Sequence, residues 1–266
     1  MRDRGGHHSR CGRDPGLLAG IRQSDAGEGR LLPRQGKPRV TFTLSAHQPA
    51  YLPWLGYFDK IARADVFVFL DTVQFERNSF INRNRIKGPG GGQWLTIPVR
   101  QKGHLRSSLR DTEMDDAQPW RDKHLRAIAT NYAKAPDFRA KFARLEPLYR
   151  MPSRNLAEFC WTQLQFWLAE LQIDTRLARS SQLSELGKKS DLVLDLCRHF
   201  DADHYLSGAL GRNYLREQDF AEAGIAIDYQ SFTPAPYPQL YGAFEPGLSV
   251  LDWWMNRADP GAGFPS

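Results

Sequence analysis

The chain is poor in cysteine, in long apolar stretches and, over its first forty residues, in aromatics. Its 266 residues include three cysteines, Cys11, Cys160 and Cys197. These are too few and too scattered for a disulfide framework or a zinc site. They read as reduced thiols of a cytoplasmic protein, with Cys160 and Cys197 as small apolar helix residues. No apolar run approaches the ~18 residues that suggest a membrane span. Histidine offers no metal pair: His7 and His8 lie at the N-terminus, and His47, His104, His124, His199 and His204 are scattered. What is present argues for a globular protein. Seven Trp, nine Tyr and fifteen Phe can bury a sizeable core, and the 41% apolar and 25% charged content is ordinary for a soluble chain.

The net charge of +6 suggests nucleic acid until it is located. Residues 1–40 hold nine Arg or Lys, four acids, eight glycines and no aromatic, a net of +5. The remainder is almost neutral. Such an arm cannot bury enough surface to offset its chain entropy, so 1–39 is expected to be disordered. Its apolar run, Leu17 to Ile21, is too short for a secretory signal. Four acids and only two serines argue against a transit peptide. Two readings stay open: a start codon assigned too far upstream, with the folded chain beginning at Val40, or a basic arm. The first is favoured, because no aromatic platform accompanies the charge. Nucleic acid is therefore the weakest partner class.

The folded part alternates strands and helices. Residues 40–46 read as a strand, 54–64 as a helix with Leu55, Phe58, Ile61 and Ala62 on one face, and 65–70 as a strand buried on both faces. Together they form a βαβ unit. A polar stretch follows over 71–92, then a strand over 94–99. Helices are predicted over 120–132, 138–148 and 156–171, and these form a helical insertion at about 118–171 that caps one side. Further strands are expected at 175–178, 204–206 and 225–232, with helical segments at 192–200, 220–223 and 248–254. The expected fold is α/β, with a mainly parallel sheet of Rossmann-like or nucleotidyltransferase-like type. One domain is expected over 40–256, with a frayed end at 257–266.

Ligands of open parallel sheets bind outside the carboxyl ends of the strands. Three segments fall there: 47–54 from His47, 71–77 with Asp71, Gln74 and Arg77, and 207–211 from Ser207-Gly208. A histidine at a strand end beside a helix start can hold a phosphate or act as general acid, or it simply packs on Trp54. Gln48 bonds a ligand or the loop. Asp71 binds a ribose, accepts a proton, or caps a turn. Asn82, Arg83, Asn84, Arg85 and Lys87 suit phosphate or hydroxyl recognition, or form a solvated hairpin face. The run Gly88-Pro89-Gly90-Gly91-Gly92 lacks the Gly-Lys-Ser/Thr ending of a phosphate loop and precedes a strand. Lys102-Gly103-His104 with Ser107 and Ser108 forms no readable catalytic triad.

These segments, in this order, resemble the WbqC-like protein family of bacteria. The likeness is carried by HQPAYLPWLGYFDKIARADVFVFLDTVQF (47–75), NRNRIKGPGG…WLTIPV (82–99), WRDKHLRAIATNYAKAPDF (120–138), YLSGALGRNYL (205–215) and AGIAIDYQSF…YPQLYGAFEPGLSVLDWW (223–254). It spans about 41–256 and leaves 1–39 outside. At Trp253-Trp254-Met255-Asn256 the chain departs conservatively from the family's more usual Leu-Leu-Phe-Asn-like pattern. The resemblance implies a place beside O-antigen and other surface-polysaccharide enzymes, and it implies a pathway rather than a reaction. Its motif positions fall on His47, Gln48, Pro49, Tyr51, Pro53, Gly56, Asp71, Gln74, Asn82, Arg83, Lys87, Ser207 and Gly208. A weaker likeness joins the first strand, its terminal His and the next helix to nucleotidyltransferase-type folds by analogy alone.

The reading is a cytoplasmic enzyme that transfers a group from a nucleotide-activated substrate or onto a nucleotide sugar. His47 and Asp71 would carry the chemistry. Gln48, Tyr51, Gln74, Arg77, Asn82, Arg83, Asn84, Lys87, Ser207 and Gly208 would bind substrate. No cofactor is required; Mg²⁺ would enter with a nucleotide. The alternative is a non-catalytic binding or scaffold protein of the same pathway, with Tyr51, Trp54 and Tyr57 as an exposed partner surface.

Overall fold

The computed structural model describes residues 41–100 and 108–258. The basic arm, Lys102 to His104, Ser107 and residues 259–266 of the expected frayed end lie outside the described residues.

A five-stranded parallel sheet organises the molecule. Its strands are β1 (Thr43–His47), β2 (Val66–Phe69), β5 (Arg176–Arg179), β6 (His204–Ser207) and β7 (Ala226–Tyr229). They lie in the order β5-β2-β1-β6-β7. Every pairing in it is parallel, with Ser45 opposite Phe67 on one side and Leu206 on the other. In order of appearance along the chain, the five strands run third, second, first, fourth, fifth, as in doubly wound sheets. The order reverses between β1 and β6, so a crevice opens there at the carboxyl edge.

Helices cover both faces. On one face Phe67 and Phe69 pack with α1 (Leu55–Ala62), α2 (Trp120–Tyr132), α3 (Phe138–Arg150), α4 (Leu156–Leu171) and α7 (Val250–Asn256). On the other, Leu44, Ala46, Val66 and Val68 meet α5 (Ser190–His199) and α6 (Glu217–Glu222). Period-two alternation along β1 and β2 feeds both cores. The expected insertion at about 118–171 is α2 to α4. Asn155 starts α4 by accepting from the Glu158 N–H at 2.9 Å, and Gln172 ends it in the left-handed region (φ 56°). Pro147 stands within the last turn of α3, which runs past the expected end to Arg150.

The polar stretch departs from expectation. The strand expected over 94–99 is instead β4 (Gly91–Thr96), paired antiparallel with β3 (Arg83–Gly88) in a separate two-stranded sheet. Strand β3 alternates over its first residues, but Asn84 within it and Asn82 just before it are both buried. Their amides donate to Ile97 O (2.8 Å) and Leu52 O (2.6 Å), which satisfies the polar groups internally. The Pro89-Gly90 turn closes the hairpin with Gly91 at φ 94°, a conformation that favours glycine.

Candidate functional site

The crevice between β1 and β6 is built from four short segments. The last paired residues are Ser45 and Leu206, reinforced by a hydrogen bond from Ser45 Oγ to Leu206 O at 2.7 Å. Beyond them β1 ends at His47 and β6 at Ser207, so His47, Gln48, Ser207 and Gly208 lie together at the carboxyl edge; Ser207 is buried, its Oγ donating to Gly208 O at 3.0 Å. His47 is partly buried. Its Nδ1 lies 3.0 Å from Gln48 O, and a carbonyl can only accept, so Nδ1 carries the proton. Nε2 is then the acceptor nitrogen. The ring stands edge-on to Tyr57, 4.9 Å between centroids. Burial, then the nearby Lys60 charge, pushes the His47 pKa down to about 3, so the imidazole is neutral at pH 7.

Lys60 was not singled out in the sequence. It lies on α1, which is buried over all positions from Leu55 to Ile61, so its polar side chains are internal. Lys60 is 2% exposed, and its Nζ donates to Ala46 O at 2.9 Å. Burial lowers its pKa to about 7. The neighbouring Asp59 turns elsewhere, accepting from Gln230 Nε2 at 2.6 Å. Gln230 follows β7 and also donates to Gly56 O at 2.7 Å. Gly56 is required locally: a Cβ there would sit 2.2 Å from the Trp54 ring.

Asp71 lies at the neighbouring strand end, after β2, in a different environment. Its carboxylate accepts from Ser181 Oγ (2.7 Å), Ser181 N (2.8 Å), Ser180 Oγ (2.9 Å) and Arg179 Nε (2.9 Å). Arg179 also reaches Glu158 on α4. Burial raises the Asp71 pKa, but the bonds from Ser181, Ser180 and Arg179 outweigh it and hold the group below its usual value. Arg179, Ser180 and Ser181 lie 108 to 110 residues away in sequence, which is why no local motif revealed them.

The other sequence candidates fall into two sets. Tyr51 is fully buried, with its hydroxyl 2.6 Å from Tyr149 Oη and 2.8 Å from His124 Nδ1. Tyr57 is also buried, so the expected exposed surface of Tyr51, Trp54 and Tyr57 does not exist. The exposed aromatics nearby are Phe80 and Trp94, 6.0 Å apart, with the Arg83 guanidinium 4.6 Å from the Trp94 ring. Gln74 and Arg77 are exposed on the segment after β2, Gln74 bridging to Ser108. Lys87 is buried, its Nζ donating to Gln239 Oε1 (2.9 Å) and to Ala243 O. Gln239 and Tyr132 in turn bond Asp252 (2.9 and 2.6 Å). Lys87 thus pins the irregular segment 230–249 against the hairpin and α7. A shallow concavity of about 630 Å³ at the α2–α3 turn, lined by Ala133, Asp137 and Arg139, gathers no such groups.

Among the described residues no three His, Cys, Asp or Glu side chains gather to hold a metal ion, and no helix is long and apolar enough to cross a membrane.

The order and spacing of these segments find a match in one family model, which covers residues 48–261 and is described as the WbqC-like protein family. The chain belongs to the WbqC-like family. A relative from Mycobacterium tuberculosis, named uncharacterized protein Rv1507c, is 37% identical over 213 residues, covering 79% of this chain and 91% of its own length. No solved structure matches the chain. The WbqC-like match begins at Gln48, just after β1 and His47; it takes in Lys60, Ser207 and Gly208, the Asp71 cluster and the hairpin, and it reaches past α7.

Proposed function

We propose that this WbqC-like chain is a group-transfer enzyme whose site is the crevice between β1 and β6. Its substrate would be a nucleotide-activated compound or a nucleotide sugar, and surface-polysaccharide biosynthesis in the cytoplasm is the setting the family resemblance suggests. One observation supports this reading: the neutral His47, with its proton fixed on Nδ1, keeps Nε2 as an acceptor nitrogen at the end of β1, beside the switch point of a doubly wound sheet. Such a nitrogen can take a proton from an attacking hydroxyl or amine. His47 therefore acts as base rather than as the general acid or phosphate holder considered from sequence. Asp71 enters as a positioning residue that fixes the strand ends beside it, not as the proton acceptor.

The test is a thermal-shift screen of the full chain against nucleotides and nucleotide sugars, with and without Mg²⁺. A ligand at 100 times its dissociation constant adds about 2.7 kcal/mol of stability. The reading expects a hit whose turnover, once an acceptor is found, is abolished in His47→Ala. A folded chain that answers no member of the panel overturns it.

A binding-protein reading has its own observation, the exposed Phe80 and Trp94 pair with Arg83. Tight binding of a pathway protein that is lost in Trp94→Ala, with no small-molecule hit, would favour it.

A further inference from the structure

Behind the carboxyl edge of β1 lies a buried cation, Lys60, which is 2% exposed. Lys60 Nζ fills one of its three donor positions with Ala46 O, the β1 carbonyl just beyond the last β1–β6 pair. Among the described residues no carboxylate lies within ion-pair distance of it. Close by stands Gly208. A Cβ built there would have Lys60 Nζ, at 4.0 Å, as its one neighbour within 4 Å, its chain neighbours aside. Gly208 thus lets the chain pass within van der Waals reach of the amine with no side chain between them. A buried ammonium without a counter-ion is costly, and a bound anion would remove that cost.

We propose that Lys60 and the Gly208 turn form the seat of a tetrahedral oxyanion group, the phosphate of a nucleotide or of a sugar phosphate. The inference rests on the crevice being the substrate site and names the charged end of the substrate. It also couples two residues. The Lys60 charge holds down the basicity of His47, so an anion seated on Lys60 makes His47 a stronger base when substrate is present.

The seat has a pH signature. Binding favours the protonated amine, so affinity falls as pH rises through the range where free Lys60 loses its proton, near 7. The surrounding elements bring few rivals. His47 at the end of β1 is neutral throughout, and the Tyr57 phenol on α1 is held far above its usual value. Asp59 on α1 pairs with Arg63 just past its end at 3.5 Å, and Ser207 at the end of β6 and Gln230 after β7 carry no charge.

Sulfate is the probe, because it stays a dianion throughout. Calorimetric titration of the full chain between pH 6 and 9 is expected to show at least a tenfold loss of affinity across that range. Lys60→Met should bind at least tenfold more weakly at pH 6, and Gly208→Ala several-fold more weakly. Lys60→Arg should bind with a flat pH profile, since guanidinium stays charged. Sulfate affinity in Lys60→Met equal to the parent, or a flat profile in the parent, overturns the proposal; the second criterion holds even if Lys60→Met does not fold. Sulfate bound through Lys60, together with an empty nucleotide screen, supports the seat and overturns the nucleotide reading alone. Selective binding of nucleotides over simple sugar phosphates, lost in Lys60→Met, supports both.

Discussion

Asp71, just after β2, and Lys60, on α1 against the end of β1, are both buried ionisable groups near the carboxyl edge of one sheet, yet they are treated oppositely. Asp71 accepts four hydrogen bonds, one of them from the Arg179 guanidinium, and its charge is stabilised. Lys60 has a single backbone acceptor, and its charge is penalised. The difference separates structure from function. A fully bonded carboxylate has no capacity left for a substrate, whereas an amine with idle donors beside a glycine does. Burial of charge alone does not mark a site; unfilled hydrogen-bonding capacity does.

The comparison breaks first at Asp71. Asp71→Ala leaves Ser180, Ser181 and Arg179 facing a gap, and an expected loss of about 4 kcal/mol should register in urea unfolding. If stability is unchanged, the cluster is not the latch described here.

A buried histidine sharpens it next. His124 is held between the Tyr51 hydroxyl and a backbone bond to Thr96, and burial lowers its pKa to about 4. Its folded pKa lies below the unfolded value of 6.5. The unfolded chain therefore takes up the proton first, and stability is lost as pH falls from 6.5 towards 4. The expected loss is about 3 kcal/mol in all. Unfolding curves from pH 7.5 to 4.5 check this, and His124→Gln should reduce the slope, leaving the share of His47, whose pKa is also lowered.

Lys87 provides a cation of the Asp71 kind. Removing it in Lys87→Met strips donors from Gln239 Oε1 and Ala243 O and should cost about 2 kcal/mol. Faster proteolysis within 230–249 would report the same loss.

The smallest effect is expected at Lys60. Lys60→Met removes a penalised amine and one bond, so stability at pH 7 should stay within about 1 kcal/mol of the parent. A loss as large as that of Asp71→Ala would place Lys60 among the structural groups and erase the contrast.

Much of the fold was legible in the sequence because burial enforces pattern. The helices at 120–132 and 156–171 were bounded correctly from their apolar pattern. The βαβ unit followed from the apolar run at the second strand. Strand β3 was hidden because asparagines occupy inward positions where apolar residues are expected. At the site, His47, Gln48, Ser207 and Gly208 were found by the strand-end rule. Lys60 was missed because a lysine in a helix normally points to solvent, and only the packing of α1 on all sides shows otherwise. The partners of Asp71 were invisible because they come from a distant strand end.

The bond from Ser45 Oγ to Leu206 O joins residues 161 apart in sequence. The two walls of the crevice are thus among the last parts of the chain to meet. Loop closure over such a distance is slow, and a ribosome must release β6 before the site exists at all. Until then the β1 edge that β6 will cover stays unpaired on the growing chain. Truncation before residue 204 should therefore leave an aggregation-prone fragment rather than a smaller binding domain, and ligand added during refolding should act on the last, slowest step.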